Sequence, residues 1–293
     1  MKILLPASNT NHRLLDSGDG SKLEQFGINT IIRPESICLW QKQHPDLWDN
    51  AIASLGKDKK GLPQWRAKAH LKEPWIFSYK LPGDLDAKLV CSLHLSPSKN
   101  IGIFPEQAAH WDWMVTSIQA VKSTPSVLNL FGYTGAATLC AAAAGAQVCH
   151  VDASQSAITW ARENQKLSKL TEAPIRWIVD DCSKFLEREI KREVLYDGII
   201  LDPPAFGRDP KGRMFKFEQD IAKLLGLVQK VLKPKPLFFI FNSYATGLPA
   251  TVLANLVADM FPKQALEYGE LHLPIHGSKT TLPCNIFVRF SNH

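Results

Sequence analysis

No two of the six cysteines stand as C-x-x-C, and none of the nine histidines falls in an H-E-x-x-H pair or a Cys/His cluster. Those absences remove the spacings of a structural zinc site, and no metal is expected. The cysteines, at 38, 91, 140, 149, 182 and 284, sit mostly inside apolar runs. They read as buried free thiols of a reducing compartment. No window approaches the roughly 20 apolar residues of a membrane helix. The opening "MKILLPAS" is shorter than the apolar core, about 7–15 residues, of a secretory signal. The expectation is a cytoplasmic protein with no membrane partner. Also missing are G-x-G-x-x-G and G-x-x-x-x-G-K, the loops that cradle a dinucleotide or a nucleoside triphosphate by its phosphates. Charge of one sign does not dominate. A net charge of +6 is compatible with a nucleic-acid partner without requiring one.

What is present divides into two regimes. Residues 1–98 are rich in tryptophan, proline and turn signals and read as a small β-rich domain with an open role, substrate binding among the possibilities. "DSGDG" (16–20) is a tight turn, and Leu89, Cys91, Leu93 and Leu95 alternate as in a half-buried strand. The lysine-rich "GKDKKGLPQWRAKAHLKEP" (56–74) reads as an exposed loop. From residue 99 to 293 a second domain follows, in which short apolar runs alternate with helical segments from about residue 125. Strands are expected at 126–131, 146–152, 175–180, 196–202 and 236–241. Helices are expected at 135–145, 154–168, 182–192, 218–232 and 249–260, with Ser154 as an N-cap and Gly145 as a C-cap. An antiparallel pair over 265–273 and 284–290 closes the chain. This order predicts an α/β, doubly wound, mainly parallel sheet. Ligands of such sheets bind at the carboxyl ends of the strands near the switch point.

Four segments fall at those ends. "NLFGYTG" (129–135) has two glycines, which suit a tight turn and close backbone approach by a ligand without phosphates. Asp152 ends the second strand, where a carboxylate can accept both ribose hydroxyls or can cap the next helix. Asp180 and Asp181 follow the third strand. Asp181 is the better placed to accept an adenine amino group, with helix capping again the competing role. The fourth strand ends in "DPPAF" (202–206).

Together these segments resemble the class I S-adenosylmethionine-dependent methyltransferases, whose Rossmann-like fold has a mostly parallel seven-stranded sheet. The resemblance implies S-adenosyl-L-methionine as cofactor. Its pocket would be formed by Phe131, Gly132, Tyr133, Thr134 and Gly135, by Asp152 with Ala153, and by Asp180, Asp181 and Cys182. "DPPAF" resembles the Asp-Pro-Pro-aromatic signature of members that methylate amino groups, with Ala205 placing the aromatic one position late. The implied catalytic set is Asp202, Pro203, Pro204 and Phe206. An exocyclic amine on a base is a weak nucleophile because its lone pair is delocalised into the ring. The Asp202 carboxylate and the Pro203 carbonyl can accept its two hydrogens and free that pair, while proline fixes the carbonyl's direction. Phe206 could stack on the base. Over 99–293 the sequence is most similar to the bacterial large-subunit (23S) ribosomal RNA methyltransferase family. "GIFPEQAAHWDW" (102–113) resembles that family's lead-in, which adds Phe104 and Gln107 to the pocket.

The expected activity is methylation of a base nitrogen of RNA, ribosomal RNA being favoured. Some family members instead methylate cytosine C5, which needs a cysteine nucleophile. In them a cysteine lies just after the fifth strand, where this chain has Ser243 and Tyr244. Arg208, Lys211, Arg213 and Lys216 beside the target pocket would suit backbone phosphates. A protein or small-molecule methyltransferase and a non-catalytic RNA-binding protein are the alternative readings.

Overall fold

The computed structural model describes residues 1–293 except 8–9, 70, 84, 97–98, 209–213, 245–246 and 293, and of residues 206–208 and 214 the backbone alone. The chain opens on β1 (Lys2–Leu4), then β2 (His12–Gly18), β3 (Ser21–Phe26) and β4 (Asn29–Pro34). A short α1 (Pro45–Trp48) leads to β5 (Ala53–Lys57) and β6 (Pro63–Ala67), and then to the hairpin β7 (Trp75–Lys80) and β8 (Lys88–Leu93). A 3₁₀ turn over Pro105–Gln107 opens α2 (Ala108–Gln119). The alternating part follows as β9 (Ser126–Leu130), α3 (Ala136–Ala143), β10 (Gln147–Asp152), α4 (Gln155–Leu167), β11 (Ile175–Val179), α5 (Cys182–Lys191) and β12 (Gly198–Leu201). After a small hairpin of β13 (Phe206–Arg208) and β14 (Met214–Lys216) come α6 (Phe217–Val231), β15 (Phe238–Ser243), α7 (Ala250–Met260), β16 (Glu267–Pro274) and β17 (Thr281–Ser291).

The large sheet runs β1-β16-β17-β15-β12-β9-β10-β11. Its β15, β12, β9, β10 and β11 are mutually parallel, and β17 is antiparallel to both its neighbours. Eight strands stand where seven were expected, because β1 adds in parallel to β16 at the edge. Three residues are too few to show a period of two, so that strand was invisible in the sequence. The order of strands reverses at β9, which has β10 on one side and β12 on the other. Both faces are covered. Val127, Val148 and Ile200 pack with α2, α3 and the β7–β8 hairpin. Leu128, Leu130, Ile199 and Phe239 pack with α5, α6 and α7. Successive residues of each central strand enter opposite cores, so the strand is buried on both sides, as a doubly wound sheet requires.

Residues 1–98 are not wholly separate from this layer. Ser92 N donates to Asn164 Oδ1 (2.9 Å) and Val90 N to Ser168 Oγ (2.9 Å), which fastens the β7–β8 hairpin to α4. The five-stranded sheet β2-β3-β4-β5-β6 reaches the turn between β16 and β17 through Leu14, Leu273, Ile275 and Leu282. Its centre holds a buried ion cluster. Glu24, fully buried, accepts from Arg33 Nε (2.7 Å) and Nη2 (2.8 Å), and Lys22 lies 3.9 Å away. Burial opposes ionisation of Glu24, but Arg33 and Lys22 outweigh it and hold the carboxyl far below its usual range. Its depressed pKa means that the stabilisation is present above the ordinary carboxyl range and is lost only as pH falls through strongly acidic values. Glu24→Ala leaves the buried Arg33 without a carboxylate partner, while Lys22 keeps Glu35 at 3.4 Å. It is expected to cost about 3–5 kcal/mol, measured by denaturant unfolding.

Candidate active site

A cavity of about 560 Å³ opens at the carboxyl ends of the parallel strands, next to the reversal at β9. A smaller one of about 70 Å³ lies beside it, lined by Gln107, Asn129, Gly132, Asp202 and Asn242 among others. Five carboxylates line the larger cavity, from Glu35, Glu106, Asp152, Asp181 and Asp202, against three cations, Lys22, Arg33 and Lys99. Such a wall suits a ligand carrying positive charge and disfavours a polyphosphate.

The loop after β9 is strained. Phe131 and Tyr133 have φ of 57° and 50°, and Gly135 has 84°. Bulky residues rarely hold positive φ, and such outliers concentrate where a ligand is held. Gly132 between them is forced by contact. A Cβ there would stand 2.3 Å from the ring of His150, which is fully buried and bonded to Thr138 (Nδ1 to Oγ1, 2.8 Å). Asp152 braces the same loop. Its Oδ2 accepts from Tyr133 N and its Oδ1 from Ser154 N, both at 2.8 Å. The next helix is capped by Ser154, not Asp152. Each Asp152 oxygen thus accepts one backbone N–H and retains further acceptor capacity, and the residue lines the cavity. Burial pushes its pKa up, though the two backbone N–H groups oppose this.

The acids after β11 divide. Asp181 caps α5 through Lys184 N (2.9 Å) and also lines the cavity. Asp180 does not reach it. Its carboxylate accepts from Asp181 N and pairs with Arg188, and it is not among the residues that line either cavity. Ala153, Cys182, Phe104, Phe131 and Tyr133 line the cavity. Thr134 lines only the smaller pocket and spends its hydroxyl on Gly102 O (2.6 Å). Gly135 lies outside both linings and serves as the N-cap of α3.

After β12, Pro204, Ala205 and Asp202 face the cavity, while Pro203 is buried behind them. Asp202 Oδ2 accepts from Gln107 Nε2 (3.2 Å). Asp202 Oδ1 is buried and has no partner. Burial, with Glu106 nearby, pushes this carboxyl up to about 7. Gln107 is itself fixed on three sides, donating also to Tyr244 Oη (3.0 Å) and accepting from Asn242 Nδ2 (3.1 Å). Tyr244 Oη donates to Glu106 Oε1 (2.9 Å), and its ring packs against Phe104 with centroids 5.0 Å apart.

The side chain of Phe206, and those of Arg208, Lys211 and Arg213, lie outside the described residues. The backbone of Phe206 pairs with Lys216 in the β13–β14 hairpin. Sequence reasoning missed Phe215 on the opposing strand, whose ring lines the cavity 5.6 Å from Phe131. It also missed Glu106 and the wall made by Lys22, Arg33 and Glu35, which no local pattern marks. Two thiols reach the cavity, Cys182 and Cys284, and burial pushes both well above their ordinary pKa. Neither is a ready thiolate nucleophile. Among the described residues no group of three or more His, Cys, Asp and Glu side chains is arranged to hold a metal ion. No helix among them is long and apolar enough to cross a membrane.

A doubly wound sheet with an acid-lined cavity at the carboxyl ends of its parallel strands suits a cationic nucleoside cofactor. A family model described as S-adenosylmethionine-dependent methyltransferase matches residues 81–260, and the chain belongs to that family. S-adenosylmethionine is its cofactor. A solved S-adenosylmethionine-dependent methyltransferase from Agrobacterium tumefaciens is 36% identical, with a TM-score of 0.92 over 100% of this chain and 94% of that one. A structure complexed with SAH shares the fold, with 18% identity, a TM-score of 0.72 and coverage of 97% of this chain and 76% of that one. "Ribosomal RNA large subunit methyltransferase K/L" of Syntrophotalea carbinolica is 29% identical over 163 residues, which cover 53% of this chain and 22% of that protein. The match thus spans about a fifth of that curated relative.

Asp152→Ala removes a charged acceptor and the brace of the loop. With charged hydrogen bonds worth about 1.5–3 kcal/mol each, affinity for S-adenosylmethionine is expected to fall at least about 30-fold. Isothermal titration calorimetry checks this.

Proposed function

We propose that the enzyme methylates an exocyclic base nitrogen of RNA, with ribosomal RNA the favoured class. The observation that carries this reading is Asp202 Oδ1, a buried carboxylate oxygen without a partner at the end of a central strand. An unsatisfied buried acceptor costs about 1–3 kcal/mol, and a donor brought by a substrate removes that cost. An amino group is such a donor.

S-adenosylmethionine supplies, when bound, a methyl group activated by its sulfonium. The chain's own residues prepare the acceptor. Gln107 holds one Asp202 oxygen, leaving the other to take an N–H of the amine. The Pro203 carbonyl can take the second N–H, and its direction is set by a proline on each side of the peptide. With both hydrogens engaged, the nitrogen lone pair is freed from the ring and directed at the methyl. Phe215 offers the base a stacking surface, worth roughly 1–3 kcal/mol. The methylated nitrogen then sheds its proton to Asp202 or to water. Rate acceleration on this reading is mostly positioning.

The raised thiols of Cys182 and Cys284 favour nitrogen over cytosine C5. The relatives' names favour ribosomal RNA. The test is transfer from isotope-labelled S-adenosylmethionine to unmodified ribosomal RNA, transfer RNA, DNA and cell protein, each separately. Label in ribosomal RNA that diminishes steeply with salt supports the reading. Label confined to protein or small molecules overturns it.

A further inference from the structure

The β5–β6 hairpin forms the outer edge of the five-stranded sheet, in the segment that the sequence pattern had marked as a loop. Its turn and strand ends carry Lys57, Lys59 and Lys60, all exposed. None of the three has an ion-pair partner among the described residues, unlike the cations deeper in the same sheet. The one acid in the turn, Asp58, is engaged in closing it, with Oδ1 accepting from Lys60 N and Leu62 N at 2.8 Å. These lysines therefore hold the fold through no ion pair among the described residues.

The hairpin is joined to the mouth of the cavity. Trp65 Nε1 donates to Ser96 O (2.7 Å), and Ser96 Oγ donates to Asn100 O (2.5 Å). Asn100 and Lys99 line the cavity, and Lys99 is exposed at its lip. Arg33 Nη1 fixes this lip by donating to Lys99 O (3.1 Å). Register decides which cations face the lip. Leu55 pairs with Trp65 and Lys57 with Pro63, so Lys57 shares the face of Trp65. Arg66 pairs with Ser54 and lies on the opposite face. The cavity's own cations, Lys22, Arg33 and Lys99, also come from this side of the molecule, whereas four of its five carboxylates come from the other.

We propose that Lys57, Lys59 and Lys60, continued by Lys99, form a tract for the phosphate backbone of a single-stranded RNA segment leading into the active-site cavity. This rests on the RNA reading above. Charges spaced along an edge with a half-buried tryptophan beside them suit a flexible polyanion read without sequence preference. Lysine on an edge strand has another use, blocking edge-to-edge association, and that use predicts no difference between the two faces of the hairpin.

The test measures binding of a fluorescein-labelled single-stranded RNA of mixed sequence by anisotropy across a salt series. Three proteins are compared: the unaltered protein, the Lys57→Ala/Lys59→Ala/Lys60→Ala variant and Arg66→Ala. The triple variant is expected to bind about tenfold more weakly at low salt and to lose about 2 from the log–log salt slope, at about 0.7 per phosphate contact. Arg66→Ala is expected to match the unaltered protein, and all three should bind S-adenosylmethionine equally. The tract is overturned if the unaltered protein methylates RNA while the triple variant binds it undiminished, or if Arg66→Ala weakens binding as much as the triple variant. If the unaltered protein neither binds nor methylates RNA but methylates another acceptor, the RNA reading itself fails and the tract with it.

Discussion

Asp202→Ala is expected to lower the rate of methyl transfer by about 10³-fold while leaving S-adenosylmethionine affinity within a factor of about three. On the function proposed above, Asp202 would hold the acceptor nitrogen and Asp152, which also lines the cavity, would hold the cofactor's ribose. Asp202→Asn is the more informative variant, because it keeps an acceptor oxygen and removes the titration. Burial, with Glu106 beside it, pushes Asp202 up to about 7, and only its ionised form accepts both from Gln107 and from substrate. The rate of the unaltered enzyme should therefore climb with pH through about 7 and level above it, whereas Asp202→Asn should give a low, flat profile. A sulfonium close by favours the ionised form, so the midpoint with bound cofactor lies below that of the free enzyme. The same shift has a sign for stability. The folded protein keeps a proton between about pH 4 and pH 7 that the unfolded chain has lost. Stability from this group is thus complete below the ordinary carboxyl range and declines as pH rises through about 7. Above that pH, Asp202→Asn should be the more stable protein by roughly 2–4 kcal/mol, seen as a higher melting temperature.

The second large effect is expected at Gly132. A methyl group there would stand 2.3 Å from the ring of His150, which is itself immobile. Thr138 bonds Nδ1 of that ring, Asn129 Nδ2 donates to the same hydroxyl (2.9 Å), and Trp177 packs 4.7 Å away. Burial pushes His150 down to about 3, so the ring is neutral and stays. Relief must come from the loop, which carries Phe131 and Tyr133 at positive φ. Gly132→Ala is expected to cost about 2–4 kcal/mol of stability and to weaken S-adenosylmethionine binding by about 100-fold or more. Gly132→Ala combined with His150→Ala should recover part of both losses, since the two side chains occupy the same space. A glycine wanted only for its backbone freedom would show no such recovery.

Much of this architecture could be read from the sequence, for local reasons. Each parallel strand from β9 to β15 is a short apolar run bounded by caps and glycines. Ser154 and Gly145 fell where a helix start and a helix end were expected. Asp152 and Asp202 were legible because strand ends in such a sheet all point to one crevice. Asp181 was preferred over Asp180 from its place just beyond the strand, and Asp181 is the one that lines the cavity; that it also caps the following helix is the use the sequence left competing. Phe215, by contrast, was hidden. Its place over the cavity depends on the pairing of two three-residue strands, where no periodicity can develop. The wall of Lys22, Arg33 and Glu35 reaches the cavity through the docking of a remote sheet, and docking leaves no mark in the local pattern. The lysine-rich segment was misread as a loop because its apolar positions are too few to alternate, yet Leu55 and Trp65 are enough to pair two strands.

The central claim, that a buried carboxylate prepares an amino nitrogen for methylation, is tested most directly by the identity of the methylated nucleoside. It is determined side by side for the unaltered enzyme and Asp202→Ala. Unmodified ribosomal RNA is incubated with isotope-labelled S-adenosylmethionine, digested to nucleosides and resolved by mass spectrometry. The predicted result is label in an amino-methylated base with the unaltered enzyme and none above background with the variant, at equal cofactor occupancy. Label in 5-methylcytidine, or the same labelled base formed undiminished by Asp202→Ala, would contradict the role of Asp202 in holding the acceptor nitrogen.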